Sequence, residues 1–206
     1  MAELKESDVR YAIDAEDNIC FVDEGWYKFA DANGGDDLKP PAVLGRSLWD
    51  CISDQTTRDL YQRIVERVRK GKLARFTLRC DSPECRRLLE MTISSAADGT
   101  VEFGTSVLSL ENREPVELLS SKVLRSTEML RVCAWCNRIN LGAPPDDWVE
   151  VEDAAEHLGL FERELMPELT HGICKSCYES MMGTLAKMDA SEEINITIDT
   201  ESVALN

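Results

Sequence analysis

Cys133-Ala134-Trp135-Cys136 and, far downstream, His171-Gly172-Ile173-Cys174-Lys175-Ser176-Cys177 are the two stretches on which the reading of this chain turns. A CxxC turn sets both sulfurs on one side of a tight backbone knuckle, and two such knuckles complete a tetrahedron around one metal ion. The expected ligands are Cys133, Cys136, Cys174 and Cys177, with zinc favoured over iron. His171, three residues before Cys174, is a fifth candidate: it either replaces one cysteine or stands beside the site. A closed four-thiolate site has no open position for water or substrate, so the metal is expected to be structural.

The spacing around the cysteines predicts a small lobe over residues 131–188. Gly142 and Pro144-Pro145 mark a loop, Trp148 to Val151 a short strand, and Glu152 to Leu158 a short helix stopped by Gly159. A last helix is expected from near Cys177 to about Met188. The second pair belongs at its start, where the dipole and free N–H groups favour thiolate. Knuckle, strand and helix in that order suggest a treble-clef-like arrangement. A lobe of roughly 60 residues buries little surface, so a staple matters. Structural zinc supplies about 10–16 kcal/mol in finger peptides, against about 2–4 for a disulfide.

Upstream, Val116, Leu119, Val123 and Leu130 form an apolar stripe that predicts a linker helix over 113–130. Before it, residues 1–112 read as an α+β domain. Val9, Tyr11 and Ile13 alternate, Glu16-Asp17-Asn18 is turn chemistry, and Ile19 to Val22 make a second strand. Trp26, Phe29 and Ala30 share a helical face. Ser53 or Asp54 caps a longer helix carrying Leu60, Ile64 and Val68, which Gly71 closes. Three strand-like runs follow: Ala74 to Cys80, Leu89 to Ile93 (where Leu88 blurs the alternation) and Val101 to Val107. The connectors are Asp81-Ser82-Pro83-Glu84 and Asp98-Gly99. The order predicts an antiparallel five-stranded sheet with helices on one face.

That order, and the words filling it, resemble a PAS domain over residues 8–112. The matching pieces are Asp14-Ala15-Glu16-Asp17-Asn18-Ile19, Trp26-Tyr27-Lys28-Phe29-Ala30, and Leu44-Gly45-Arg46-Ser47-Leu48-Trp49-Asp50 before the long helix, with three strands to finish. The resemblance implies a sensory or interaction module, often dimeric, with a pocket between sheet and helices. Trp26, Trp49, Phe76, Met91 and Phe103 are its candidate lining for an unidentified small ligand. The two cysteine pairs, with Cys133-Ala134-Trp135-Cys136-Asn137-Arg138 and Trp148-Val149 between, look like the module that ends many bacterial signal-transduction proteins. Lys175 stands where that module commonly has proline. Both resemblances imply regulation without naming a reaction.

Composition narrows the function further. The formal net charge of −16 repels phosphate backbones and argues against general nucleic-acid binding. The nearest basic patch, Arg58 to Lys72, reads as the wet face of an amphipathic helix. The N-terminus has no apolar secretory core, and no stretch approaches the ~18 apolar residues of a membrane span. A cytoplasmic protein is therefore expected, with its eight cysteines reduced or metal-bound. Cys80 and Cys85 flank a turn and are expected as two thiols facing across a hairpin; Cys20 and Cys51 read as small apolar residues. The acidic tail, 189–206, carries alternating Ile194, Ile196 and Ile198 and reads as a late strand with frayed ends. No phosphate loop or nucleophilic constellation stands out. The expectation is a non-enzymatic signalling protein: a homodimer with a protein partner. The alternatives are a thiol-based redox or metal sensor, and an enzyme acting in the PAS-like pocket.

Overall fold

The computed structural model describes residues 8–142 and 147–190. Strands β1 (Val9–Ile13) and β2 (Ile19–Val22) form the first hairpin, and Asp14 Oδ1 holds its turn through the Asn18 N–H at 2.9 Å. Helix α1 (Glu24–Ala32) starts where the Asp23 carboxylate accepts the Trp26 N–H at 2.9 Å. Helix α2 (Gln55–Arg69) starts the same way, with Asp54 accepting the Thr57 N–H at 2.8 Å. Arg67 and Arg69 lie in its last turn, where they complement the helix dipole. Gly71 then takes φ +85°, the left-handed conformation that ends a helix at low steric cost.

Strands β3 (Ala74–Arg79), β4 (Cys85–Ser95) and β5 (Val101–Asn112) complete an all-antiparallel sheet of order β2-β1-β5-β4-β3. The register shifts between Leu88 and Leu89, which accounts for the blurred alternation there. One face carries Ile13, Phe103, Ile93 and Phe76 into the core, and α2 covers it with Leu60, Ile64, Val65 and Val68. Each such fully buried side chain contributes about 1.5–3 kcal/mol relative to exposure. Tyr11 stacks on Phe103, with centroids 4.6 Å apart.

A second sheet, of order β8-β7-β6-β9, is built from β6 (Arg125–Cys133), β7 (Ile139–Asn140), β8 (Trp148–Val149) and β9 (Met166–Gly172). Strands β6 and β9 are parallel, joined through helix α3 (Val151–His157) among other segments. Val116, Leu118, Val132, Ile139, Val151, Ala154, Leu160 and Met166 form its core. Helix α4 (Lys175–Ala190) closes the described chain and packs on α2.

The sequence expectations need three corrections here. The linker helix over 113–130 does not form: Glu117–Leu119 is a single 3-10 turn, and β6 begins at Arg125. The apolar stripe serves burial in another way. Val116 and Leu118 are buried under the second sheet, while β6 satisfies its backbone by pairing on both sides, with β7 and β9. Tertiary pairing overrides helix propensity at that point. Second, a boundary at residue 131 does not separate two cores, because Cys133, Trp135, Cys174, Met181, Leu185 and Met188 belong to the same buried cluster as Ile13, Ile64 and Phe103. Third, Cys80 faces Arg87 across the β3–β4 turn and not Cys85; the Cys80 N–H donates to the Arg87 carbonyl at 3.1 Å, and neither cysteine is in a disulfide. The last helix begins at Lys175, two residues before its expected start. The alternating isoleucines of the tail, and Pro144-Pro145, lie outside the described residues.

Candidate metal centre

The knuckle forms where β6 ends and the chain turns back into β7. The Cys133 N–H donates to the Arg138 carbonyl at 2.8 Å, and the Asn137 N–H donates to the Cys133 carbonyl at 2.9 Å. Asn137 closes the turn at φ 61°, a left-handed conformation that asparagine tolerates better than most residues. The Ala134 N–H donates to the Gly172 carbonyl at 2.8 Å, which ties the knuckle to the end of β9. Two residues on, Cys174 immediately precedes α4, and Cys177 lies in that helix's first turn. The parallel β6–β9 pairing therefore delivers the two distant CxxC segments to one point.

The four sulfurs of Cys133, Cys136, Cys174 and Cys177 all lie within 4.8 Å of one another. Cys136 and Cys174 stand 3.8 Å apart, sulfur to sulfur. A tetrahedron of Zn–S bonds of about 2.3 Å has edges of about 3.8 Å, so the donor set fits a tetrahedral thiolate metal. Cys133 and Cys174 are buried, at 0% and 2% exposure, whereas Cys136 and Cys177 are half-buried. The Cys174 N–H donates to the Cys133 sulfur at 3.4 Å, and the Cys174 sulfur lies 3.2 Å from Ser176 Oγ.

The thiols are electrostatically coupled. Hydrogen bonds from the Cys136 and Cys177 thiols, and then the Cys174 N–H, hold Cys133 far below the ordinary thiol range despite burial. Its sulfur pushes the Cys136 thiol up to about 12 and the Cys177 thiol far above its usual value. Negative charge in the group is therefore held preferentially on Cys133. A divalent metal would let all four ionise, releasing protons as it binds.

Cations frame the centre. Glu150 receives Arg79 Nη1 at 2.6 Å and Arg138 Nε at 3.0 Å. Arg79 also reaches Asp81, whose side chain has no solvent exposure and which accepts Arg113 Nη1 at 3.3 Å. Arg113 and Arg86 both bind Glu152, at 2.9 Å each. Burial pushes the Glu150 and Glu152 carboxyls up. The guanidiniums of Arg79 and Arg138 more than offset this for Glu150; those of Arg113 and Arg86, with the Glu152 backbone N–H, do so for Glu152. Both end below their usual value.

His171 lies on β9 beside Val132, exposed, and is not part of the sulfur group. The five candidate pocket residues do not line one cavity. Met91 and Phe103 are core, and Trp49 is half-buried against it with Nε1 bonded to Asp17 Oδ2 at 2.7 Å. Trp26 borders a cavity of about 350 Å³ between α1 and the sheet, walled by Phe29, Leu38, Leu89 and Val107. Phe76 borders a separate one of about 560 Å³ between β3 and α4, with Trp135, Cys136, Cys177 and Met181. Trp135 and Ser176 sit inside the CxxC segments and were legible as neighbours of the sulfurs; nothing in the sequence pointed to Arg79. No protein-family model and no curated protein matches this chain. No helix among the described residues is long and apolar enough to cross a membrane.

Proposed function

We propose that this chain is a non-enzymatic regulatory protein in which a PAS-like sensory module shares its core with a structural zinc centre. The observation that carries the reading is the convergence of Cys133, Cys136, Cys174 and Cys177 inside the buried cluster that also backs the five-stranded sheet. Zinc bound there would supply a closed cross-link with no coordination position for substrate, the ion itself doing no redox chemistry. The chain's own residues do the rest: the knuckle and the first turn of α4 hold the thiolates, and Arg79 and Arg138 place positive charge beside the knuckle.

The sensory half of the reading is supported by the antiparallel sheet with helices on one face and by the apolar cavity under α1. At about 350 Å³ that cavity is within the range of small-ligand sites, and its walls suit an apolar guest. A ligand there changes the packing of β3 and β4, and the Arg79–Asp81–Glu150 contacts carry the change to the cysteine knuckle. The output is a homodimer interface or a protein partner in the cytoplasm. Native mass spectrometry of the purified chain with elemental analysis tests this. The expected result is one zinc per chain and a dimer carrying a small ligand; a chain free of bound metal would overturn the zinc reading.

A further inference from the structure

The sulfur centre is sealed on one side and open on the other. Cys133 and Cys174 are enclosed, and each has a further hydrogen-bonding partner, the Cys174 N–H for one and Ser176 Oγ for the other. Cys136 and Cys177 instead form part of the wall of the 560 Å³ cavity between β3 and α4. Trp135 borders the same cavity, and its indole N–H has no acceptor among the described residues. The cavity thus brings a polar guest of a few atoms to two of the four sulfurs. A purely structural cross-link gains nothing from such an opening.

We propose that Cys136 and Cys177 are the reactive thiols of the centre, oxidised by small peroxides that enter between β3 and α4 and joined as a disulfide with release of the metal. The inference rests on the zinc reading above and adds a chemical input to it. One thiolate attacks a peroxide oxygen; the O–O bond breaks, a sulfenic acid forms and hydroxide leaves. The second thiolate attacks the sulfenic sulfur; the S–O bond breaks, the S–S bond forms and a second hydroxide leaves. Two sulfurs give up two electrons and hydrogen peroxide takes them up. The four sulfurs lie within 4.8 Å of one another, so this closure needs only local rotation. The metal keeps two ligands, Cys133 and Cys174, too few for a closed site.

The test uses the full chain with the exposed thiols removed as Cys20→Ser and Cys51→Ser. Metal content is measured first; timed alkylation with iodoacetamide is then read by peptide mass spectrometry. A parallel sample receives hydrogen peroxide with a zinc indicator present. The expected result is one zinc per chain, alkylation of Cys136 and Cys177 about tenfold faster than Cys133 and Cys174, and a Cys136–Cys177 disulfide appearing with zinc release. Thr184→Leu, which narrows the cavity without touching a sulfur, should slow both reactions several-fold, and it serves if Cys136→Ser does not fold. Bound zinc with equal reactivity of the four thiols, or with disulfides inside each CxxC pair, would overturn the inference and leave the zinc reading standing. A chain without metal would overturn both.

Discussion

The backbone N–H of Arg79 donates to the carbonyl of Trp135 at 2.7 Å. The edge strand of the five-stranded sheet therefore ends on the cysteine knuckle. The Arg79 side chain repeats the connection through Asp81 and Glu150. Asp81 is the hub, fully enclosed, with Arg79 and Arg113 on its carboxylate and the Arg87 N–H at 3.2 Å. Removing one member of a buried ionic group leaves the others uncompensated and costs about 3–5 kcal/mol. Asp81→Ala is expected to destabilise the chain by that amount in urea unfolding. A loss no larger than that of an exposed-pair variant such as Glu24→Ala would show that the hub is not what joins the two sheets.

Acid should weaken the same junction. Glu150 and Glu152 have folded-state carboxyls below their ordinary value of 4.5. A depressed carboxyl contributes stability that is complete above the unfolded value and is lost as pH falls through the folded one. The contribution of this pair is therefore expected to be flat above about pH 5 and to decline from pH 4.5 downward. The double variant Glu150→Gln and Glu152→Gln should be less stable near neutrality and show a shallower acid decline. Unfolding curves of both proteins at several pH values, with metal content held fixed, provide the check.

The physics of local spacing explains which features the sequence disclosed. Asp54 before an i, i+4 stripe of Leu60, Ile64 and Val68, with Gly71 after it, defined α2 because capping and periodicity are local. The two CxxC pairs were legible for the same reason: each carries its own geometry. Residues 113–130 misled because Val116, Leu119, Val123 and Leu130 fit a helical face, while the partner that makes a strand of 125–133 is β9, some forty residues downstream. The Arg79–Glu150 contact is long-range in the same way, and so is the merging of the cysteine site with the sheet's core. His171 looked like a ligand from its distance to Cys174, yet its place on β9 beside Val132 keeps it outside the sulfur group.

Because the sulfurs belong to the shared core, metal removal should reach beyond the knuckle. Stripping the metal with a strong chelator is expected to loosen α4 and the β6–β7 turn first, and then the α2–α4 packing. Structural zinc is worth about 10–16 kcal/mol in small folds, so the fall in thermal midpoint should be large and reversed by added zinc. Cys133→Ser should abolish stoichiometric binding, whereas Cys80→Ser and His171→Ala should leave it intact. Hydrogen exchange confined to the knuckle after chelation would mean that the centre does not support the sheet.

Gly25 gives the sharpest test of how α1 is seated. A Cβ built there would meet the backbone carbonyl oxygen of Asp8, just ahead of β1, at far less than contact distance. Backbone cannot swing aside as the end of a flexible side chain can, so the strand or the helix must shift. Gly25→Ala normally favours a helix by roughly 0.5–1 kcal/mol, but overpacking a tight contact costs about 1–3 kcal/mol. The contact decides the sign, and the variant is expected to be less stable than the parent. Since Gly25, Trp26 and Phe29 also wall the cavity under α1, the same shift should weaken binding of any co-purified ligand while leaving zinc content at one per chain. A Gly25→Ala chain of raised stability, measured by urea unfolding, would place α1 farther from β1 than the structure does.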